Sequence, residues 1–121
     1  MKRTFLLITI VAFCYSCSNS SSDKTTTAAK TDPDIEKGLN LVAKSDCFGC
    51  HKISEASIGP AYNQVGQKYE NTDANISLLA EKIQKGGSGN WGAVPMAGHT
   101  GLSIDDAKLM AKYVLSLKNE K

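Results

Sequence analysis

The fold of this 121-residue chain is decided by the stretch Cys47-Phe48-Gly49-Cys50-His51, which carries the Cys-x-x-Cys-His signature of c-type haem attachment. Two thiols three positions apart on one predicted helical turn can each add to a vinyl group of the porphyrin. The next residue then presents an imidazole to the iron. The motif therefore predicts one covalent haem c, with Cys47 and Cys50 as attachment points and His51 as an axial ligand.

The same cysteine pair fits two other kinds of site less well. A zinc site needs four ligands, and downstream of the pair the chain offers only His51 and His99 as further Cys or His ligands. A thioredoxin-like redox pair lies in a βαβ pattern, and no run of β-branched residues precedes Cys47. Both alternatives are therefore weaker than haem attachment.

Residues 1–16 have the pattern of a secretory signal peptide. Lys2 and Arg3 come before a short apolar run that ends at Phe13. The run is far shorter than the roughly 20 residues that a membrane-spanning helix needs. We therefore predict export of the chain and removal of this segment.

A lipid anchor is predicted at Cys17. Ser16-Cys17 and the serine-rich segment behind it resemble the lipobox of bacterial lipoproteins, in which the cysteine receives lipid and becomes the new amino terminus. Cys14 and Tyr15 depart from that motif, which usually has leucine and a small residue at these positions. Without lipid, Cys17 would be a lone thiol in an oxidising compartment. Cleavage to a soluble periplasmic protein is the alternative.

Residues 17–33 are predicted to be a lipidated amino terminus and a flexible tether. The segment 18–31 has no apolar residue larger than alanine, so it cannot bury enough surface to order itself. Loss of Lys2 and Arg3 with the leader lowers the formal net charge from +2 to zero, with twelve Lys against twelve acidic residues. This balance and the lack of a basic patch argue against nucleic acid as a partner.

Apolar residues recur with helical period throughout residues 34–121, which are predicted to form one small all-α domain. The first helix is expected to start at the Asp32-Pro33 cap and to end near Ser45. The other predicted helices are a short one from about Ala61 to Lys68, one that contains Ile76 to Ile83 and stops at Gly86-Gly87, and a last one after the Ser103 cap with a buried stripe of Ile104, Ala107, Met110, Ala111, Val114 and Leu117. No strand pattern competes with these helices.

Three residues are candidates for a sixth iron ligand: Met96, His99 and Met110. Met110 falls on the apolar stripe of the last helix and is interpreted as core. The segment 90–98 is predicted to be an irregular loop because of its Gly and Pro residues, and iron ligation would explain a methionine there. A lone loop histidine is most often solvated, so His99 is the weaker candidate.

Four motifs in this order resemble a class I cytochrome c, specifically the small bacterial monohaem carriers. They are Cys47-Phe48-Gly49-Cys50-His51, Ile58-Gly59-Pro60-Ala61-Tyr62, Gly89-Asn90-Trp91-Gly92 and Val94-Pro95-Met96. The resemblance covers about residues 34–118. It implies a haem crevice wrapped by about four helices, the first and last of which cross near Gly38, Val42 and Tyr113.

The resemblance also implies a role for particular side chains. His51 and Met96 would be the axial iron ligands, and the Pro60 carbonyl would bind the other nitrogen of His51. Trp91 and Lys82 would each donate a hydrogen bond to a haem propionate. For Trp91, a simple core position is an equally weighted alternative.

The chain departs from the family pattern just after Met96. Residues 97–101 stand where relatives often carry prolines and an amide side chain near the sulfur. His99 lies in this segment, where it could contact the surroundings of Met96 or replace it as a ligand.

Ligation by methionine and histidine raises the iron's reduction potential relative to bis-histidine haem and leaves no site for a substrate. We therefore expect a monomeric, non-enzymatic one-electron carrier on the periplasmic side of a bacterial membrane, tethered by lipid at Cys17. Its donor and acceptor would be redox proteins, chiefly membrane-bound respiratory complexes, and no small-molecule substrate is expected. The alternatives are an electron-entry subunit of a larger oxidase or reductase, and a haem gas sensor if Met96 is not a stable ligand.

Overall fold

A computed structural model describes residues 32–121 of the chain. Its regular elements are α1 (Pro33–Lys44), α2 (Tyr62–Lys68), α3 (Asp73–Lys85), β1 (Gly87–Gly89), β2 (Gly92–Met96) and α4 (Ile104–Ser116). Short 3₁₀ turns lie at Cys47–Gly49 and Leu117–Asn119. The predicted signal peptide, the lipidation site Cys17 and residues 18–31 of the tether fall outside the described residues. Between residues 32 and 121, no helix has the length and apolar character needed to cross a bilayer.

The helices begin where the sequence predicts, because their first turns are capped by side chains. The Asp32 carboxylate accepts a hydrogen bond from the Asp34 N–H at 2.9 Å, and Pro33 occupies the first helical position of α1. At the start of α4, the Ser103 hydroxyl accepts from the Asp106 N–H at 3.0 Å. The prediction of a small, mainly helical fold is confirmed, with four α-helices within residues 32–121.

Helices α1 and α4 cross at the position that the family resemblance implies. Gly38 of α1 lies directly against the backbone of Leu109 and the Cβ of Tyr113, so any larger residue there would overlap α4. Val42, one turn further along α1, is only 1% exposed. An ion pair of 2.6 Å between Asp34 and Lys112 joins the same two helices nearer the start of α1.

The main core lies between α1, α2 and α4. Its buried residues are Val42, Tyr62, Val65, Met110, Tyr113 and Val114. Met110 is 1% exposed, which confirms its interpretation as core. The predicted buried stripe is wrong at Ile104, which is 38% exposed because it stands on the first turn of α4, outside the helix crossing.

The expectation of an irregular loop without strands over residues 90–98 is wrong. β1 and β2 form a short antiparallel hairpin in which Gly87 pairs with Met96 and Gly89 pairs with Gly92. Three of these residues have positive φ values, at Gly87, Gly89 and Gly92, which only glycine adopts at little cost. The hairpin therefore brings Met96 back beside the end of α3.

Candidate functional site

A largely apolar crevice of about 390 Å³ opens between α3, the hairpin, α4 and the turn of residues 47–51, here called the attachment turn. This volume lies within the range of roughly 300–1,000 Å³ that is typical of ligand and cofactor sites. Its apolar wall includes Val42, Val65, Leu79, Ile83, Met110 and Val114. Every site residue predicted within the described part of the chain also lines it, namely Cys47, Cys50, His51, Pro60, Lys82, Trp91 and Met96.

The two cysteines lie on one tight turn, as the attachment motif requires. The N–H groups of Cys50 and His51 both donate to the Cys47 carbonyl, at 3.2 Å and 3.0 Å. Asp46 begins the turn in the left-handed conformation, with φ at 52°, which is uncommon for a residue other than glycine. Cys47 is half-buried, and burial raises the pKa of its thiol, whereas Cys50 is exposed.

The imidazole of His51 has one nitrogen committed to the protein. Nδ1 lies 2.7 Å from the carbonyl oxygen of Pro60. Because a carbonyl can only accept, Nδ1 carries the proton in this contact, and in the neutral ring Nε2 then has the free lone pair. In metal sites, a hydrogen bond from the ring nitrogen that does not bind the metal orients the histidine and sets its tautomer. The contact between Pro60 and His51 that the resemblance implies is therefore present, and the ring is suited to bind iron through Nε2.

Met96 ends strand β2 and lines the same crevice from a segment packed on the end of α3. The His99 N–H donates to the Ile83 carbonyl at 3.0 Å, and the Gln84 amide donates to the Leu102 carbonyl at 2.8 Å. Gly86, with φ at 68°, lies against the Met96 carbonyl so closely that a side chain would overlap it. The backbone from Met96 to Leu102 is thus held against the end of α3.

His99 is not the solvated loop residue that the sequence suggests. Its side chain is 26% exposed, and its Nε2 lies 3.2 Å from the Asp46 carboxylate. Its Nδ1 is buried and has no hydrogen-bond partner among the described residues. The contact joins the segment after Met96 to the turn before Cys47. Sequence reasoning missed Asp46, because these two residues are 53 positions apart.

Trp91 stands on the hairpin at the mouth of the crevice and is 44% exposed, so it lies outside the buried clusters of the described residues. The ammonium of Lys68 lies 4.4 Å from the centre of its ring, within cation–π range, and donates to the Asn90 carbonyl at 3.0 Å. Lys82 extends from α3 to the same mouth, beside Gly87. Both residues line the crevice, and their propionate contacts stay predictions.

The residues of the crevice fit a c-type haem. The two thiols and the imidazole of the attachment turn can hold the porphyrin and its iron, an apolar wall can cover the ring, and a thioether lies on a separate segment. Such a fold and site define a small haem protein. The chain belongs to the cytochrome c family, whose sequence profile, described as Cytochrome c, matches residues 35–118.

Proteins that are similar to this chain include small bacterial cytochromes c. Cytochrome c-552 of Nitrosomonas europaea is 37% identical over 90 residues, which cover 74% of this chain and 82% of the relative. Cytochrome c-551 of Allochromatium vinosum is 37% identical over 91 residues, which cover 75% of this chain and 97% of the relative. The crystal structure of the wild-type Nitrosomonas europaea protein superposes with a TM-score of 0.61, at 37% identity, over 65% of this chain and 98% of that one. Proteins of this family are electron carriers, and this protein binds one covalent haem c.

Proposed function

We propose that this protein shuttles single electrons between redox proteins outside the cytoplasmic membrane, with its haem iron held by His51 and Met96. One observation carries the proposal, the 2.7 Å hydrogen bond that commits Nδ1 of His51 to the Pro60 carbonyl. It leaves Nε2 as the basic nitrogen of a ring that lines the crevice. Met96 lines that crevice too and would fill the sixth position.

The bound haem supplies the one-electron couple of its iron. Cys47 and Cys50 would hold it by thioether bonds, so that it stays in place in both oxidation states. A histidine and a methionine together leave no open position for a substrate, which favours a carrier over a catalyst. The apolar wall would keep water away from a bound haem and would thereby favour the less charged, reduced state of its iron.

We further propose that the carrier works at a membrane surface on the periplasmic side. The signal-like leader and the Ser16-Cys17 pair support export and lipid attachment. The polar segment 18–31 would let the domain reach membrane-bound respiratory complexes that donate or accept electrons. The domain is proposed to act as a monomer.

The test uses the full chain produced in a host that matures c-type cytochromes. Wild-type protein should keep its haem through acid-acetone extraction, since thioether bonds survive it. The oxidised protein should show the weak far-red charge-transfer band of iron bound to a thioether sulfur, and the reduced protein should resist carbon monoxide. Met96→Ala should abolish the band and lower the reduction potential, because a thioether ligand favours ferrous iron.

Two control variants separate ligation from packing. Met110→Ala should keep the band and lower the free energy of unfolding by about 2–5 kcal/mol, the usual cost for a buried methionine. His99→Ala should keep both the band and the potential, because its Nε2 contacts Asp46. Loss of haem on extraction would contradict covalent attachment. Ready binding of carbon monoxide by wild-type protein would favour a gas sensor or an enzyme instead.

A further inference from the structure

The ring of Tyr62 lies parallel to the ring of His51. The two ring centres are 5.2 Å apart and the planes differ by 13°, which is an offset-stacked arrangement. We propose that Tyr62 is a positioning residue that fixes the plane of the His51 imidazole at the iron. The inference rests on the proposed function, in which His51 is an iron ligand.

The hydrogen bond to Pro60 restrains the imidazole only in part. The ring rotates about its Cβ–Cγ bond, and a hydrogen bond tolerates a range of donor angles, so Nδ1 can rock about the Pro60 oxygen. A parallel ring beside one face limits this rotation, because turning would drive the imidazole edge into the aromatic face. Pro60 thus sets the position of Nδ1, and Tyr62 limits the remaining tilt of the ring plane.

Tyr62 is itself held rigidly, which a positioning residue must be. Its side chain is 5% exposed. Edge-to-face contacts with Phe48, at 5.9 Å and 62°, and with Tyr113, at 6.4 Å and 77°, hold the ring from other directions. The Tyr62 N–H donates to the Lys52 carbonyl at 2.9 Å, which ties its backbone to the residue after His51.

The test is proton NMR of the oxidised holoprotein, in which the hyperfine shifts of the haem methyl groups depend on the plane of the axial imidazole. Tyr62→Leu should change the spread or the order of these methyl resonances. Tyr62→Phe retains an aromatic ring and should show the same order of methyl resonances as the wild-type protein. Leu115→Ala is the control, because Leu115 is also buried, at 3% exposed, but does not line the crevice and packs in a separate cluster with Ile76 and Ala111. It should destabilise the fold and leave the methyl pattern close to wild type.

A methyl pattern unchanged in Tyr62→Leu, or changed as much in Leu115→Ala, would overturn the inference. If Tyr62→Leu does not fold, a measurement on the wild-type protein still tests the inference. In the reduced, diamagnetic state, nuclear Overhauser contacts are expected between the ring protons of Tyr62 and His51, and their absence would be a contradiction. Failure of the proposed function is seen separately, as wild-type protein without covalent haem or without a histidine-ligated iron.

Discussion

At the scale of single residues, His51 is surrounded on three sides. Pro60 accepts a hydrogen bond from Nδ1, Tyr62 covers one face, and Gly59 lies against the ring edge with no side chain of its own. An added Cβ at Gly59 would lie 2.5 Å from Cε1 and 2.9 Å from Nδ1 of His51. The position of Gly59 is set by its own N–H, which donates to the Cys50 carbonyl at 2.9 Å. Neither the glycine nor the imidazole can withdraw without losing one of these contacts.

We therefore expect Gly59→Ala to be costly. Overpacking in a well-packed site typically lowers the free energy of unfolding by about 1–3 kcal/mol. Gly49→Ala is the matched control, because an added Cβ there meets no atom within 4 Å. Urea unfolding of the two holoproteins measures the difference. Equal stability of both variants would show that the His51 ring moves aside freely.

At the scale of secondary-structure elements, the sequence predicts the helices, because their signals lie within short segments, but not the hairpin. Apolar spacing and capping residues place the four helices of the described domain, because these signals lie within each segment. The hairpin escapes prediction since β1 is only Gly87-Ser88-Gly89, with no β-branched residue and no alternation. Its formation depends on the pairing of Gly87 with Met96 and on packing against α3, which a local pattern does not reveal.

The ion pair between Asp34 and Lys112 joins two elements, and its effect on stability should depend on pH. The hydrogen bond and charge of Lys112 lower the pKa of Asp34. A lowered pKa in the folded state means that the stabilisation is present above the ordinary aspartate value of about 3.9 and is lost as the pH falls through the lowered value. The pKa of Lys112 is raised in turn, so its contribution is lost only as the pH rises through that raised value.

Asp34→Asn should accordingly be less stable than wild type at neutral pH, and the difference should shrink below about pH 4. Urea unfolding of both proteins, from neutral pH to below about pH 4, measures this difference in the free energy of unfolding. Glu81→Gln is a suitable control, because the Glu81–Lys85 pair is more exposed and lies within one helix. We expect that control to have a smaller effect at every pH. A stability difference between Asp34→Asn and wild type that stays constant down to about pH 2 would contradict a pKa of Asp34 lowered by Lys112.

At the scale of the whole molecule, the candidate site is predictable where it rests on motifs and unpredictable where it rests on tertiary contacts. The attachment turn, Pro60 and Met96 are recognisable from short motifs, and they line one crevice. The Asp46–His99 contact and the stacking of Tyr62 on His51 join separate segments, so neither has a signal in the sequence. Trp91 shows the same limit, because its exposure depends on the hairpin that presents it.

The proposed lipid anchor also acts on the whole molecule, since it would decide where the domain works without touching its fold. Cys17 lies fifteen residues before Asp32, where the described domain begins. Cys17→Ser in the full chain should therefore keep covalent haem, the far-red band and the unfolding midpoint. The same change should move the protein from the membrane fraction to the soluble periplasmic fraction, because each buried methylene of an acyl chain contributes about 0.8 kcal/mol to anchoring. Fractionation with a haem stain, and mass spectrometry of the mature amino terminus, measure both expectations. A wild-type amino terminus at Ser18 or later, with all protein soluble, would exclude the anchor and leave the haem site as proposed.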